Sequence, residues 1–169
     1  MKRLILTLAL MLGFAVAAQA QSYAVVNSEK IFKSIAKYNE AIAELDNLAN
    51  TYQKQVDAKF EEVERLYNAY MARRSQLSAA SQAANEENIL KLEQEATEFQ
   101  ESIFGTDGEL MKKRLELIQP IQKKVFDTID SYAKQKGYDM IIDVSQNATM
   151  LYYSSKADKT NEIIALLKK

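Results

Sequence analysis

Apolar residues recur at alternating spacings of three and four along the middle of the chain. The positions that carry the first such pattern are Ile42, Leu45, Ala49, Tyr52, Val56, Lys59, Val63, Leu66, Tyr70, Arg73 and Leu77. This is the heptad period of a helix that packs lengthwise against another helix. The pattern continues for about five heptads without Pro or Gly, so it predicts a helix of about 40 residues that extends roughly 60 Å.

A second stretch with the same period follows a polar segment, LSAASQAANEEN at residues 77–88, in which Ser81 or Asn85 could cap a new helix. Its periodic positions are Ile89, Leu92, Ala96, Phe99, Ile103, Thr106 and Leu110. Two helices of comparable length that are joined by a short turn predict an antiparallel coiled-coil hairpin. A turn near Gln82 would set Lys59 opposite Gly105.

Gly105, Gly108 and Pro120 interrupt the helical pattern in the second half of the chain. A Gly in a helix interior costs about 1 kcal/mol relative to Ala. Pro120 cannot donate a hydrogen bond to the carbonyl of Glu116, so a kink or a restart of the helix is expected there. The three residues are candidate hinge positions, and the alternative for the FGTDG segment is a local flaw that the helix tolerates.

Short β-prone runs lie near both ends of the chain. SYAVVN at residues 22–27 precedes Ser28, which suits the start of a helix. Near the other end, YDMIIDV alternates apolar and acidic residues, SQN is a turn, and ATMLYY predicts a return strand before a last short helix with Ile163 and Leu167. An isolated β-hairpin is marginal in water, so the SYAVVN run is expected to pair with the terminal strands.

These elements predict an α+β fold. A long antiparallel two-helix coiled-coil hairpin, the arm of residues 40–118, would project from a small β body of residues 21–39 and 119–169. About three strands per chain leave two open sheet edges, and pairing of those edges between copies would close the body. Residues 21–169 are therefore expected to be a single domain that associates with copies of itself.

The first twenty residues are typical of a secretory signal peptide. Lys2 and Arg3 precede an apolar run, and Ala18-Gln19-Ala20 forms a small-x-small cleavage pattern. The run of about fifteen residues is shorter than the roughly 20 that a spanning helix needs, which argues against an uncleaved anchor. The sequence contains no Cys, so no lipid-bearing cysteine follows the signal peptide. We expect an exported, soluble protein of the periplasm or the extracellular medium.

Composition narrows the classes of function. The sequence has no His and no Cys, which excludes His- or Cys-based metal sites and catalytic triads. Three Gly after the signal peptide cannot build a phosphate-binding glycine loop. We therefore expect no enzyme activity, no metal and no cofactor. Without the signal peptide the chain carries 20 basic and 23 acidic residues, a balance that gives no general attraction to nucleic acid.

The side chains that point most clearly to binding are aromatic. Phe60 and Tyr67 lie seven residues apart and broaden the apolar stripe beside Tyr70, and Met71 is adjacent. A stripe wider than one partner helix covers, built from Tyr and Met, suits contact with many unfolded segments. Phe60, Tyr67, Tyr70 and Met71 are therefore candidates for binding unfolded client proteins. The alternative is ordinary packing between the two helices.

The order of these features resembles the Skp/OmpH family of periplasmic chaperones. The resemblance rests on AVVNSEKIF after the signal peptide, on EENILKLEQEATEFQ, on ELIQPIQKKVFDTIDSYAKQKGYDMIID and on LYYSSKADKTNEIIALL. It implies a homotrimer whose strands form a shared β-barrel body, with three helical arms around a cavity that holds unfolded outer-membrane proteins. The implied function is that of an ATP-independent periplasmic holdase. The alternative from another class is a structural coiled-coil spacer or scaffold of the cell envelope.

The chain departs from the family pattern in its charge. The enterobacterial members have basic arms, whereas residues 40–78 and 85–118 carry 9 basic and 16 acidic residues, a balance of −7. Acidic arms argue against contact with anionic lipid or lipopolysaccharide, so no lipid-binding residues are carried over from the resemblance. The basic pair Arg73 and Arg74, near the predicted turn, is interpreted as a solvated helix end.

Overall fold

Helices dominate the computed structural model, which describes residues 22–146 and 149–168. The elements are β1 (Tyr23–Val26), α1 (Ser28–Lys33), α2 (Ala36–Arg73), a short 3-10 helix (Arg74–Gln76), α3 (Ala79–Phe104), α4 (Glu109–Lys136), β2 (Met140–Asp143) and α5 (Thr160–Leu167). The prediction of a mostly helical chain with a small sheet is confirmed. The predicted signal peptide, residues 1–20, lies outside the described residues. None of the described helices is long and apolar enough to cross a membrane.

The chain divides into two compact units. The first, called the sheet unit, consists of the described residues of Met1–Ile31 and Asp127–Lys169. The second, called the helical unit, is Phe32–Phe126. The sheet unit contains β1, β2 and α5, and the helical unit contains α2 and α3.

The sheet unit is built around β1, whose last three residues are almost fully buried. β1 pairs in parallel with β2, beginning with Tyr23 opposite Met140. On the other edge of β1, the N–H of Val25 donates to the carbonyl of Ala157 at 2.9 Å, and the carbonyl of Val25 accepts from the N–H of Lys159 at 2.9 Å. Segments from both ends of the sequence are thereby joined by backbone hydrogen bonds.

The predicted return strand ATMLYY is not formed. Residues 149–154 adopt no strand, and residues 147–148 lie outside the described part of the chain. A strand needs a hydrogen-bonded neighbour, and Leu151 and Tyr152 are instead 95% and 83% exposed. Beside β1 lies a bridge of one residue pair, Val25 with Asp158. The described residues therefore form two strands where about three were predicted.

Asp143, the last residue of β2, holds the start of α1 in place. Its carboxylate accepts hydrogen bonds from the backbone N–H of Ser28 at 3.1 Å and of Ser145 at 2.9 Å, and from both serine hydroxyls. The side chain of Asn27 accepts from the N–H of Lys30 at 2.9 Å. The cap of α1 is thus supplied by Asn27 rather than by Ser28 as predicted, because the Ser28 hydroxyl is engaged with Asp143.

We expect Asp143→Ala to lower the free energy of unfolding by about 1–3 kcal/mol at pH 7, because the donors of Ser28 and Ser145 lose their acceptor. Burial disfavours ionisation of Asp143, but the hydrogen bonds from Ser28 and Ser145 outweigh it and hold the pKa of this carboxyl below its usual range. A pKa lowered by folding adds stability above the unfolded-state pKa of about 4, and this stability is lost as the pH falls through the folded-state pKa.

The measurement for Asp143→Ala is urea unfolding of the wild type and the variant at pH 7 and at about pH 2, well below the usual pKa of an Asp carboxyl. The difference in unfolding free energy should shrink at the acidic pH. An equal difference at both pH values would contradict the role of the ionised carboxylate.

Helix α5 is fixed to the end of α4 by a polar contact within the sheet unit. The buried hydroxyl of Tyr132 donates to the carboxylate of Glu162, and the Nζ of Lys159 lies 3.0 Å from the same carboxylate. The hydrogen bonds from Tyr132 and Lys159 lower the pKa of Glu162. Burial, followed by the bond to Glu162, raises the pKa of Tyr132. Ile163, the next residue of α5, is completely buried.

In the helical unit, the first turns of α2 pack against α4. Ala41, Leu45 and Ile118 form a buried cluster. The partly buried apolar residues packed against it are Tyr38, Ile42, Leu110, Leu117 and Ile121. The Nζ of Lys113 lies 3.6 Å from the carboxylate of Glu44, which joins the same two helices. The ammonium group of Lys113 is thus engaged in an ion pair with α2.

The second half of α2 packs against α3, with a register that differs from the predicted one. Ser78 is the cap of α3, since its hydroxyl accepts from the N–H of Ser81 at 3.2 Å. The turn therefore precedes both predicted caps, Ser81 and Asn85. The Nζ of Lys59 lies 5.1 Å from the centre of the Phe99 ring, so its predicted place opposite Gly105 is wrong.

The second helical stretch is interrupted at Gly105–Gly108 and not at Pro120. α3 ends at Phe104, whereas α4 runs without a break from Glu109 through Pro120 to Lys136. Pro120 and Glu116 are both exposed, so water can satisfy the carbonyl that Pro120 leaves without a donor. The predicted restart at Pro120 is therefore wrong, and α2 with 38 residues is followed by a much shorter α3 of 26.

Candidate functional site

An open cleft of about 430 Å³ lies between the last turns of α2 and the first half of α3. Its lining residues are Tyr67, Tyr70, Met71, Arg74, Glu86, Ile89, Leu90 and Glu93. All of them belong to the helical unit. The lining combines the largely apolar side chains of Tyr67, Met71 and Leu90 with charged groups, among them Arg74 and Glu93.

Three large apolar side chains of the cleft are open to solvent. Tyr67 is 49% exposed, Met71 46% and Leu90 64%. Tyr67 and Met71 lie four residues apart and therefore on the same face of α2. Leu90 lies on α3, next to Ile89, a predicted seam position that is partly buried. Soluble chains seldom group large apolar side chains in one exposed cleft unless that surface binds something.

A polar network fixes the end of the cleft. Tyr70 is 3% exposed, and its hydroxyl donates a hydrogen bond to the carboxylate of Glu86. The Nε of Arg74 donates to the same hydroxyl oxygen at 3.0 Å, and its guanidinium lies 3.4 Å from the Glu86 carboxylate. Burial, followed by the hydrogen bond to Glu86, raises the pKa of Tyr70. Tyr70 therefore stays protonated at neutral pH and serves as a fixed link between α2 and α3.

Of the four candidate client-binding residues, three line the cleft and one does not. Tyr67 and Met71 are exposed in the cleft, and Tyr70 lines it although the residue as a whole is buried. Phe60 is half-buried on α2 and does not line the cleft. Leu90 does line it and was missed by the heptad pattern. Its signal in the sequence is a second apolar residue directly after Ile89, on a face that one partner helix cannot cover.

The candidate hinge residues also lie in the helical unit. Gly105 and Gly108 fall between α3 and α4, and Pro120 lies within α4. A Cβ atom on Gly105 would lie 2.4 Å from the carbonyl oxygen of Glu101, and one on Gly108 would lie 2.4 Å from that of Ile103. Real Cβ atoms do not approach backbone this closely, so both positions need Gly for lack of space.

A second cavity, of about 360 Å³, lies at this break between the helices. It is lined by Glu98, Glu101, Ser102, Gly105, Thr106, Asp107 and Gly108. Its three carboxylates are not arranged for a metal, because no group of three or more His, Cys, Asp or Glu that could hold a metal ion occurs in residues 22–146 and 149–168.

The sheet unit exposes apolar side chains of its own. Tyr23 and Met140, which pair across β1 and β2, are 59% and 58% exposed. Leu151 and Tyr152 are the most exposed large apolar residues described. Large apolar side chains this exposed can mark a surface that contacts another chain.

Two comparisons relate the chain to known proteins. The family model for outer membrane protein (OmpH-like) matches residues 22–167. A protein of Aquifex aeolicus (strain VF5), named as an uncharacterized protein, is 26% identical over 147 residues. That similarity covers 87% of this chain and 86% of the Aquifex protein. The family match includes residues of the sheet unit and of the helical unit.

Proposed function

Because the chain belongs to the OmpH-like outer membrane protein family, we propose that it is an ATP-independent holdase chaperone that binds unfolded outer-membrane proteins in the periplasm. The observation that carries the proposal is the cleft between α2 and α3, in which Tyr67, Met71 and Leu90 are exposed. Met is flexible and polarizable, and Tyr combines an apolar ring with a polar tip. Such side chains adapt to many different apolar segments.

The proposed mechanism is reversible capture without a chemical step. A client with exposed apolar strands makes many weak contacts with the cleft and with nearby apolar residues such as Phe60. Binding of the unfolded state withdraws it from aggregation, and release follows when insertion and folding in the outer membrane are more favourable. The acidic arm of residues 40–118 gives no attraction to anionic lipid.

We further propose that the working form is a homotrimer, as the family implies. Support comes from Tyr23, Met140, Leu151 and Tyr152, which are exposed, and from β2, which among the described strands pairs with β1 on one edge only. Contacts between copies in the sheet unit would cover these groups and close the open edge of β2. Three arms would then surround a space for the client.

Size-exclusion chromatography with light scattering tests this proposal on residues 21–169, alone and after addition of an outer-membrane barrel protein diluted from urea. The expected result is a trimer that keeps the client in a discrete, soluble complex. A trimer that leaves the client to aggregate would contradict the holdase function and favour an envelope spacer. A monomer that captures the client would contradict the proposed trimer but not the holdase function.

Gly105 and Gly108 are proposed to act as a hinge that lets the arm adjust to clients of different size, while Pro120 lies inside a continuous helix and is the weaker of the three candidates. Hydrogen exchange followed by mass spectrometry is expected to show faster exchange around these two glycines than in the middle of α2 or α3. Equal exchange rates along the whole arm would contradict the hinge.

A further inference from the structure

We infer that the cleft between α2 and α3 selects unfolded segments in which an aromatic or aliphatic residue lies close to a Lys or Arg. The inference rests on the proposed function and specifies the class of client segment. It is carried by the charges around the cleft together with its exposed apolar lining.

The charged residues of the cleft do not balance. Arg74 and Glu86 form an ion pair at 3.4 Å and so compensate each other. Glu93 lines the same cleft, and it has no cationic partner among the residues described. One carboxylate therefore remains at the apolar cleft without a positive charge, and an incoming cation would compensate it.

The rest of α3 reinforces this negative charge. The helix contains six acidic residues and a single basic one, Lys91. Lys91 lies 3.8 Å from the carboxylate of Glu95, so its charge is already engaged. On α2, Arg65 is paired with Glu62 at 2.6 Å, and Arg73 does not line the cleft. The surroundings thus repel acidic segments and attract basic ones.

The apolar part of the cleft sets the second requirement. A volume of about 430 Å³ falls at the lower end of the range of small-ligand pockets, about 300–1,000 Å³, so it suits a few side chains. The exposed ring of Tyr67 can contact an aromatic side chain or a cation. In an extended segment, residues i and i+2 point to the same side, so an aromatic residue at i can enter beside Leu90 while a Lys at i+2 approaches Glu93.

The test is fluorescence anisotropy with three labelled twelve-residue peptides and the intact mature chain. The first peptide alternates Phe and Lys at i and i+2, the second carries Glu in place of Lys, and the third carries Ser in place of Phe. Residues 21–169 are expected to bind the first peptide at least about 3-fold more tightly than either of the others, a ratio that should fall as salt is added.

Two charge reversals on α3 provide the matched comparison. Glu93→Lys is expected to weaken binding of the Phe–Lys peptide by about 3–10-fold and to strengthen binding of the Phe–Glu peptide. Glu87→Lys makes the same change of charge on an exposed residue of α3 that does not line the cleft, and it should change both affinities by less than about 2-fold. Leu90→Ser should weaken the binding of both Phe-containing peptides.

Equal binding of the Phe–Lys and Phe–Glu peptides would overturn the inference, as would equal effects of Glu93→Lys and Glu87→Lys, or no peptide binding at all. The same proteins are assayed for suppression of aggregation of an unfolded outer-membrane barrel protein. If the wild type suppresses aggregation but does not prefer the Phe–Lys peptide, the selection by charge is contradicted and the chaperone function is not. Absence of suppression would count against the chaperone function itself.

Discussion

Ile163→Ala is expected to lower the free energy of unfolding by about 2–4 kcal/mol, a large fraction of the total stability of a typical domain. Ile163 lies on α5 and is completely buried in the sheet unit, as is Ile31 of α1. Truncation removes most of a buried side chain and leaves a cavity, because close-packed neighbours relax only in part. Since α5 is also held by the contact between Tyr132 and Glu162, its displacement would disturb the whole unit.

Urea unfolding followed by far-UV circular dichroism measures this effect, and Leu166→Ala on the same helix is the matched control. Leu166 is 38% exposed, so its truncation should cost less than about 1 kcal/mol. Both variants introduce Ala into α5, so their helix propensities are similar. A cost for Ile163→Ala no larger than that for Leu166→Ala would show that α5 does not contribute to the core.

Gly108→Ala is the second substitution expected to have a large effect, a loss of about 1–3 kcal/mol in the free energy of unfolding. The new Cβ would lie 2.4 Å from the carbonyl oxygen of Ile103 and 2.7 Å from its carbonyl carbon. These are backbone atoms and cannot rotate away, so the segment between α3 and α4 must shift. The reduced entropy of the unfolded chain offsets only about 0.4–1 kcal/mol of this cost.

The control for Gly108→Ala is Thr106→Ala, at an exposed position in the same segment. It should change the unfolding free energy by less than about 0.5 kcal/mol. If both variants unfold at the same urea concentration, the segment can adopt another conformation without cost, and the close approach at Gly108 is not a constraint on the fold.

The heptad pattern predicted the buried face of α2 well. Leu45, Val56 and Tyr70 all occupy predicted seam positions, and all are buried. This works because a long helix packed along a partner buries one stripe, and the period of that stripe is fixed by helix geometry. The same pattern left Lys59 on the seam exposed, with its ammonium over the Phe99 ring.

The register between α2 and α3 could not be predicted equally well. Residues 77–88 contain several side chains able to cap a helix, and moving the turn by one residue shifts the facing residue by two, about 3 Å. The choice of Ser78 over Ser81 depends on tertiary contacts, such as the bonds from the Gln82 amide to the carbonyls of Arg74 and Leu77. The pairing of Tyr70 with Glu86 was therefore not visible in the sequence.

The predictions of a return strand and of a helix break at Pro120 were wrong for related reasons. An alternating apolar pattern near Leu151 shows a preference for a strand, but the strand itself depends on a hydrogen-bonded neighbour, and the described residues form no strand pair there. Pro120 lies on an exposed face of α4, where water can replace the hydrogen bond that it cannot donate, and the helix continues through it. Leu90 was missed because the heptad pattern identifies the residues that a partner helix covers and not the apolar residues that stay exposed beside them.

Photo-crosslinking from position 90 is the most direct test of the proposed chaperone role. A photoreactive phenylalanine analogue replaces Leu90 in one protein and the exposed Glu87, outside the cleft, in the control. An outer-membrane barrel protein diluted from urea should crosslink several-fold more from position 90 than from position 87, and the same barrel folded in detergent should crosslink from neither. Equal crosslinking from both positions, or capture of the folded barrel as readily as of the unfolded one, would contradict the proposal.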